Sequence, residues 1–359
     1  MLPSSKKVIR CLALLTVVFS ATMQAQQQLI RFDQPDHDRW FYPHNTTPGT
    51  RPQASVFSAL PMSDGLDDRW GFFLLGFDTF DLLPLNLPPE CYRIRSVKLT
   101  ATVGTHLNFR YDPTYDSWRT YPTTNRAADV ADADLGRPVE LSGVGFRGGF
   151  TARTFAEISP HGSSSPGMRN AFPLGYSDVG EARDVSSNVT MQFESAPWAI
   201  GQAPIAAGSL VPEETRFTFN LNLNLPGVTR YLQQSLSLGR LWFSLHSMHP
   251  AFEQGGEFAS FYTKEDIGHE LFGGLAPTLE LEVEIVHPLN LQITGQQVTL
   301  QWPSYAGNRY VLQASPDLSP GSWQNLHQQD VVQHGSSQFS VPFSPGSRFF
   351  RLSLQPSAL

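Results

Sequence analysis

The sequence predicts an all-β protein: a large antiparallel β-sandwich carrying one short helix, followed by a smaller β-sandwich. Three observations lead there. Several segments alternate apolar and polar residues with a strict period of two, which puts successive side chains on opposite faces of a half-buried strand. Pro- and Gly-rich stretches separate these segments, as sandwich loops require. Charged residues make up only 16% of the chain, so its surfaces must lean on Ser, Thr, Asn, Gln and Gly, a balance that suits an exported β-protein.

Residues 1–25 are predicted to be a removable export signal. Lys6, Lys7 and Arg10 form a basic start, Cys11 to Ala21 is a short apolar run, and Met23-Gln24-Ala25 offers a cleavage site before Gln26. The run is shorter than the roughly 20 residues that span a bilayer. No integral membrane span is expected once it is removed.

Residues 26–287 are assigned to the large sandwich. Val97, Leu99, Ala101 and Val103 share one face of a strand, and Phe217, Phe219, Leu221, Leu223 and Leu225 share one face of another over 216–225. Residues 104–200 read as a loop-rich insertion, with the glycines of 143–150 as turn residues. Pro226 to Gly239 places Val228, Tyr231, Leu232 and Leu236 on one helical face between fitting Pro and Gly punctuation, and leads into the apolar strand 241–245. Leu279, Leu281, Val283 and Ile285 then alternate with three glutamates. The boundary falls near His287-Pro288. Beyond it, 288–359 holds strand patterns at 298–302, 309–313 and 349–354.

Charge and cysteine content narrow the function. The formal charge is −7, and loss of three cations with the signal takes it to −10. No basic patch follows, which argues against nucleic acid or an anionic bilayer as partner. Cys91 is the single thiol after signal removal, with no neighbouring His or Cys, and is expected to be a small packed residue.

The pattern Val298-x-Leu300-x-Trp302, Tyr310-x-Leu312-x-x-Ser315, Gly321-x-Trp323 and Phe349-Phe350-Arg351-Leu352 resembles the fibronectin type III-like, immunoglobulin-type modules that end many secreted bacterial proteins. In the large sandwich, Gly71–Asp78, Ile94-x-Ser96-Val97-x-Leu99, the 216–245 region, Phe261–Glu265 and Pro277–Leu281 resemble the DNRLRE-type carbohydrate-binding-like domains, which are jelly-roll sandwiches of exported bacterial proteins. That resemblance implies a jelly-roll-like fold and either polysaccharide binding or a spacer role at the cell surface. The 104–200 insertion has no counterpart in it.

Sugar recognition needs flat ring faces for stacking and fixed polar groups to replace water around hydroxyls. Tyr115, Asp116, Trp118 and Arg119 lie together in a turn-rich segment, and Trp40 and Tyr42 form a second aromatic candidate; in both, rings folded back over the core are the alternative. Asp129, Asp132 and Asp134 are candidate ligands for a structural calcium, with solvated turn acids as the alternative. His246 and His249 read as loop histidines. No nucleophile elbow, zincin pair or phosphate loop is present, and no other cofactor is expected. The reading is therefore a secreted or cell-surface protein, periplasmic at the innermost, that binds or scaffolds without catalysis and has polysaccharide as its expected partner. A polysaccharide-active hydrolase or lyase with its site in 104–200, and a purely structural surface component, stay open as alternatives.

Overall fold

The computed structural model describes residues 26–59, 68–121, 127–252, 255–342 and 349–357; the expected export signal lies outside them. Two sheets build the large sandwich. In the first, the strands Gln26–Phe32, Thr278–Ile285, Tyr92–Thr102 and Arg216–Asn220 pair antiparallel in that order. Its strands keep the expected alternation: Leu279, Leu281, Val283 and Ile285 are buried, while on the wet face Glu280 and Glu284 meet cations, such as Lys98 Nζ at 2.7 Å from Glu280, and Glu282 accepts from Gln27 and Ser96.

The second sheet is longer. Its path runs Ala259–Tyr262, Gln53–Ser58, Arg69–Asp78, Arg240–Ser247, Arg137–Phe146, Ala171–Tyr176 and Ala182–Asp184, with three shorter strands attached to make ten. One of these, Tyr111–Asp112, runs parallel to Arg137–Pro138. Phe73, Leu75, Phe77, Leu241, Phe243 and Leu245 from this sheet meet Val97, Leu99, Leu279 and Leu281 from the other in one apolar cluster. That burial is the main driving force for the fold. Cys91 is buried at its margin, and burial pushes its thiol up to about 11, so it is a packed residue as expected.

Helix α1, Val228–Leu238, falls inside the expected segment and buries Val228, Leu232, Ser235 and Leu236. A second helix not foreseen, α2 at Ile267–Phe272, starts where the Asp266 carboxylate accepts hydrogen bonds from the Gly268 and His269 backbone N–H groups.

Three expectations need correction. The 216–225 strand stops at Asn220, because the Asn222 side chain accepts from Asn224 N at 3.1 Å and turns the chain. The 104–200 segment is not a loop insertion throughout: it supplies Arg137–Phe146, a central strand of the long sheet. Gly143 and Gly145 belong to that strand rather than to a turn. A Cβ on Gly143 would sit 2.1 Å from the Trp198 ring, and one on Gly145 2.2 Å from Phe172, so these positions are bare to admit rings.

Beyond Ile285 the chain forms two three-stranded antiparallel sheets. One is Asn290–Thr294, Gln297–Ser304 and Gly335–Pro342; the other is Gln324–Val331, Asn308–Ser315 and Phe349–Pro356. Trp302, Tyr310 and Leu312 are buried between them, as the spacing predicts. This small sandwich shares its apolar cluster with the large one. Fully buried Asn308 fastens the junction by accepting from Leu85 N at 2.8 Å and donating to Leu85 O at 2.7 Å.

Candidate functional site

The long sheet has a second face, and the segments 147–170 and 185–198, on either side of its last two strands, cover much of it. Along Arg240–Ser247 the side chains of Trp242, Ser244 and His246 alternate with the core residues Leu241, Phe243 and Leu245. One part of the covered face is apolar, with Phe41, Phe72, Leu74, Val144, Phe155 and Trp242 in contact. The other part is charged and dry. Arg69 donates to Glu140 Oε2, to His246 Nδ1 at 2.8 Å and to Val185 O at 2.9 Å, and His246 Nε2 meets Ser142 Oγ at 2.9 Å. His246 thus belongs to a strand and an ion network, not to a loop. Burial raises the Glu140 carboxyl, but Arg69 and His246 outweigh it and hold the group down at about 2. Arg69, Glu140 and His246 are each exposed by no more than 2%, so this network ties the cover to the sheet and offers nothing to a ligand.

A pocket opens where this cover meets α1. It encloses about 190 Å³ and is walled by Tyr115, Tyr176, Glu194, Trp198, Leu225 and Pro226, with Ser177 and Asp178 at its margin. Trp198 begins the stretch that pairs with the long sheet, its backbone N–H donating to Leu141 O at 2.8 Å. Its ring stacks on Tyr176 at 6.1 Å and meets Tyr231 edge-on at 4.9 Å. Gly227, at φ 81°, lies hard against the Tyr176 ring, where a Cβ would approach to 2.4 Å. The aromatic walls are therefore held from behind. Tyr115 is 41% exposed, and its hydroxyl donates to one Glu194 oxygen while Ser117 Oγ donates to the other. The Trp198 indole N–H is buried and has no acceptor among the described residues.

The sequence-predicted residues scatter around this pocket. Tyr115 is on its wall. Asp116 is buried beside it in sequence, accepting from Tyr121 at 3.1 Å and Arg137 at 2.9 Å. Trp118 turns away and packs with Tyr121, Val189 and Met248, and exposed Arg119 donates to Ala128 O. Trp40 stacks on Tyr42 at 4.8 Å, half-buried against the main core and covered at 5.9 Å by Arg51. These two rings line neither cavity described here. Asp129, Asp132 and Asp134 do not come together as a set; Asp132 pairs with Arg137, while Asp134 joins Asp112 and Asp116. Tyr176, Trp198 and Glu194 were not singled out as ring or acceptor partners in the sequence, because they reach the pocket from two further segments that only the sheet brings together.

A larger groove of about 790 Å³ runs past α2, lined by Asp33, Lys264, Glu265, His269 and Glu270. Behind it the Lys264 ammonium pairs with Glu157 and lies 4.0 Å from Asp38 and 3.9 Å from Glu265. Burial, reinforced by the neighbouring Glu265, pushes the Asp38 carboxyl up to about 8. A raised carboxyl near others is what an acid catalyst needs. Asp38, however, is fully buried and does not line the groove, and the cluster already holds its own cation. The groove offers no Phe, Tyr or Trp face. Size alone does not make it the better binding site.

A scan of protein-family models finds none that matches this chain, and a search of curated proteins finds no match to it either.

Proposed function

We propose that this is an exported, non-catalytic glycan-binding protein whose aromatic pocket takes one sugar ring of a polysaccharide. The observation that carries the reading is the set of chemically matched walls: exposed Tyr115 and half-buried Tyr176 supply ring faces, and Glu194 is a fixed acceptor. The volume sits below the roughly 300–1,000 Å³ of sites that engulf drug-sized ligands, so the pocket suits a single ring or chain end rather than an extended oligomer. With both Glu194 oxygens engaged by Tyr115 and Ser117, this carboxylate is built to orient a ligand rather than to shuttle a proton.

The test is a glycan array read alongside reducing-sugar release, using the chain beginning at Gln26. Retention on a polysaccharide without release is expected, and Tyr115→Ala weakens it about tenfold, equivalent to about 1.4 kcal/mol. Trp118→Ala lowers stability and leaves retention near the parent level, since that ring packs inward. Turnover of any glycan overturns the non-catalytic part. Failure to retain any glycan overturns the binding part and leaves a purely structural component.

A further inference from the structure

We propose that Asp112, Asp116 and Asp134 form a calcium site that locks the turn carrying Tyr115. Each of the three places a carboxylate oxygen within 4.8 Å of the other two. Calcium holds oxygens at about 2.4 Å, so two ligands of one ion are at most about 4.8 Å apart. The separation therefore fits a shared ion.

Proximity of acids alone would mean little, but the donors here do not add up. Asp112 is only 2% exposed, and its Oδ2 has no hydrogen-bond partner among the described residues. Its Oδ1 accepts from Thr114 N at 2.8 Å and lies 2.7 Å from Thr114 Oγ1, which is also 2.9 Å from Asp134 Oδ2. A hydroxyl has one hydrogen and can donate to only one of the two. Both donors to Asp116, Tyr121 and Arg137, lie on its Oδ2, so Oδ1 carries neither bond. Arg137 also serves Asp132. Arg137 pairs with Asp116 and Asp132, whereas Asp112 and Asp134 have no ion pair among the described residues, which leaves their two negative charges for a divalent cation to offset. Every donor atom is a hard oxygen, the class calcium selects over zinc or copper.

The surroundings make the site firm on one side and open on the other. Asp112 sits in a strand paired to Arg137–Pro138, and Gly136, at φ 112°, brings that strand against Arg110 O. Asp134 is exposed and gives the ion a way in. The turn from Asp112 to Asp116 also holds Tyr115, so the ion fixes the ring that faces the pocket. In this sense the inference deepens the glycan reading, but its test contains no sugar, and the two stand or fall separately.

The test is calorimetric titration of calcium chloride into the chelator-stripped chain beginning at Gln26. One site is expected, with a dissociation constant on the order of 10⁻⁴–10⁻³ M, as in extracellular calcium modules. Equimolar magnesium does not displace the ion, because it gives up its water reluctantly. Asp134→Asn weakens binding at least about tenfold, and Asp129→Asn, outside the triad, leaves it unchanged. In chelator, Asp134→Asn melts at or above the parent temperature, since it removes a repelling charge; a side chain serving only to brace the loop would melt lower. Absence of binding at about 10 mM calcium, well above the usual range for such modules, overturns the proposal. Unchanged affinity in Asp134→Asn, or a lower melting temperature in chelator, overturns it as well.

Discussion

Along Thr278–Ile285 every second residue is buried, whereas along Arg69–Asp78 nine consecutive residues are. Both strands belong to antiparallel sheets that press on the same core, so the difference lies on their far sides. The four-stranded sheet shows water its glutamates and the cations that answer them. The second face of the ten-stranded sheet is roofed by the segments 147–170 and 185–198 and shows water little. A roofed face must meet its polar groups internally, and here Arg69, Glu140, His246 and Asn188 bond to one another, while Glu140 Oε1 and Ser244 Oγ have no partner among the described residues. Ion pairs of similar appearance therefore carry unequal weight on the two sheets.

The contrast breaks most directly at Glu140. Glu140→Ala strands the Arg69 guanidinium in a dry site and is expected to cost about 3–5 kcal/mol in urea unfolding. A loss below about 1 kcal/mol would mean that water already reaches the roofed face. Acid is the next lever. Burial holds His161 near 4 and His249 near 3, so each stays neutral in the fold and takes up a proton on unfolding. Their contribution is complete above the unfolded pKa of about 6.5 and is lost as pH falls toward the folded values, about 2.6 kcal/mol each by pH 4.5. Glu140 adds to this only below about 4.5, where the unfolded carboxyl begins to protonate first. Asp38, raised to about 8, keeps its proton in the fold over the same window and acts in the opposite sense, so the check is made on the rings themselves: a His249 imidazole resonance that titrates between pH 6.5 and 4.5 in the folded protein would contradict the neutral assignment.

Smaller effects sharpen the same picture. Gly143→Ala forces a methyl into the Trp198 ring and is expected to cost about 1–3 kcal/mol, with a shift in tryptophan emission. Parent-like stability would mean the ring can step back, and the pocket wall would not be fixed. On the wet sheet, Lys98→Ala removes the pair with Glu280 and should change stability by no more than about 0.5 kcal/mol. A loss of several times that would erase the distinction between the sheets.

The sequence makes the wet sheet legible for the reason just given. With one face in water, the strands around Leu99, Phe217 and Leu281 must alternate, and they do. The roofed sheet hides its pattern. Where both faces are buried the alternation fades into apolar runs such as Trp70–Phe77, and the strand Arg137–Phe146 carries glycines that mimic a turn. Helix α1 was readable from its apolar stripe and its closing Gly239, while six-residue α2 is too short to show a period. Of the site, Tyr115 was visible as a ring among turn residues. Trp118, three places on, has the same local signal and faces the opposite way, because Tyr121, Val189 and Met248 offer it a nest that no local pattern announces. Of the three acids expected to gather, Asp134 alone joins the cluster, and Asp112 and Asp116 stand there in place of Asp129 and Asp132, because strand pairing, not proximity along the chain, sets which acids meet.

The pairing of Gln26–Phe32 with Thr278–Ile285 has a consequence for how the protein comes to exist. The two partners are the first and last strands of the large sandwich, in register from Gln26 opposite Ile285 to Phe32 opposite Leu279. Such a closure is as non-local as this body permits, and contacts of that kind make folding slow. The opening strand must wait, unzipped, until nearly the whole body has emerged from the ribosome, so the large sandwich closes only at the end of its synthesis.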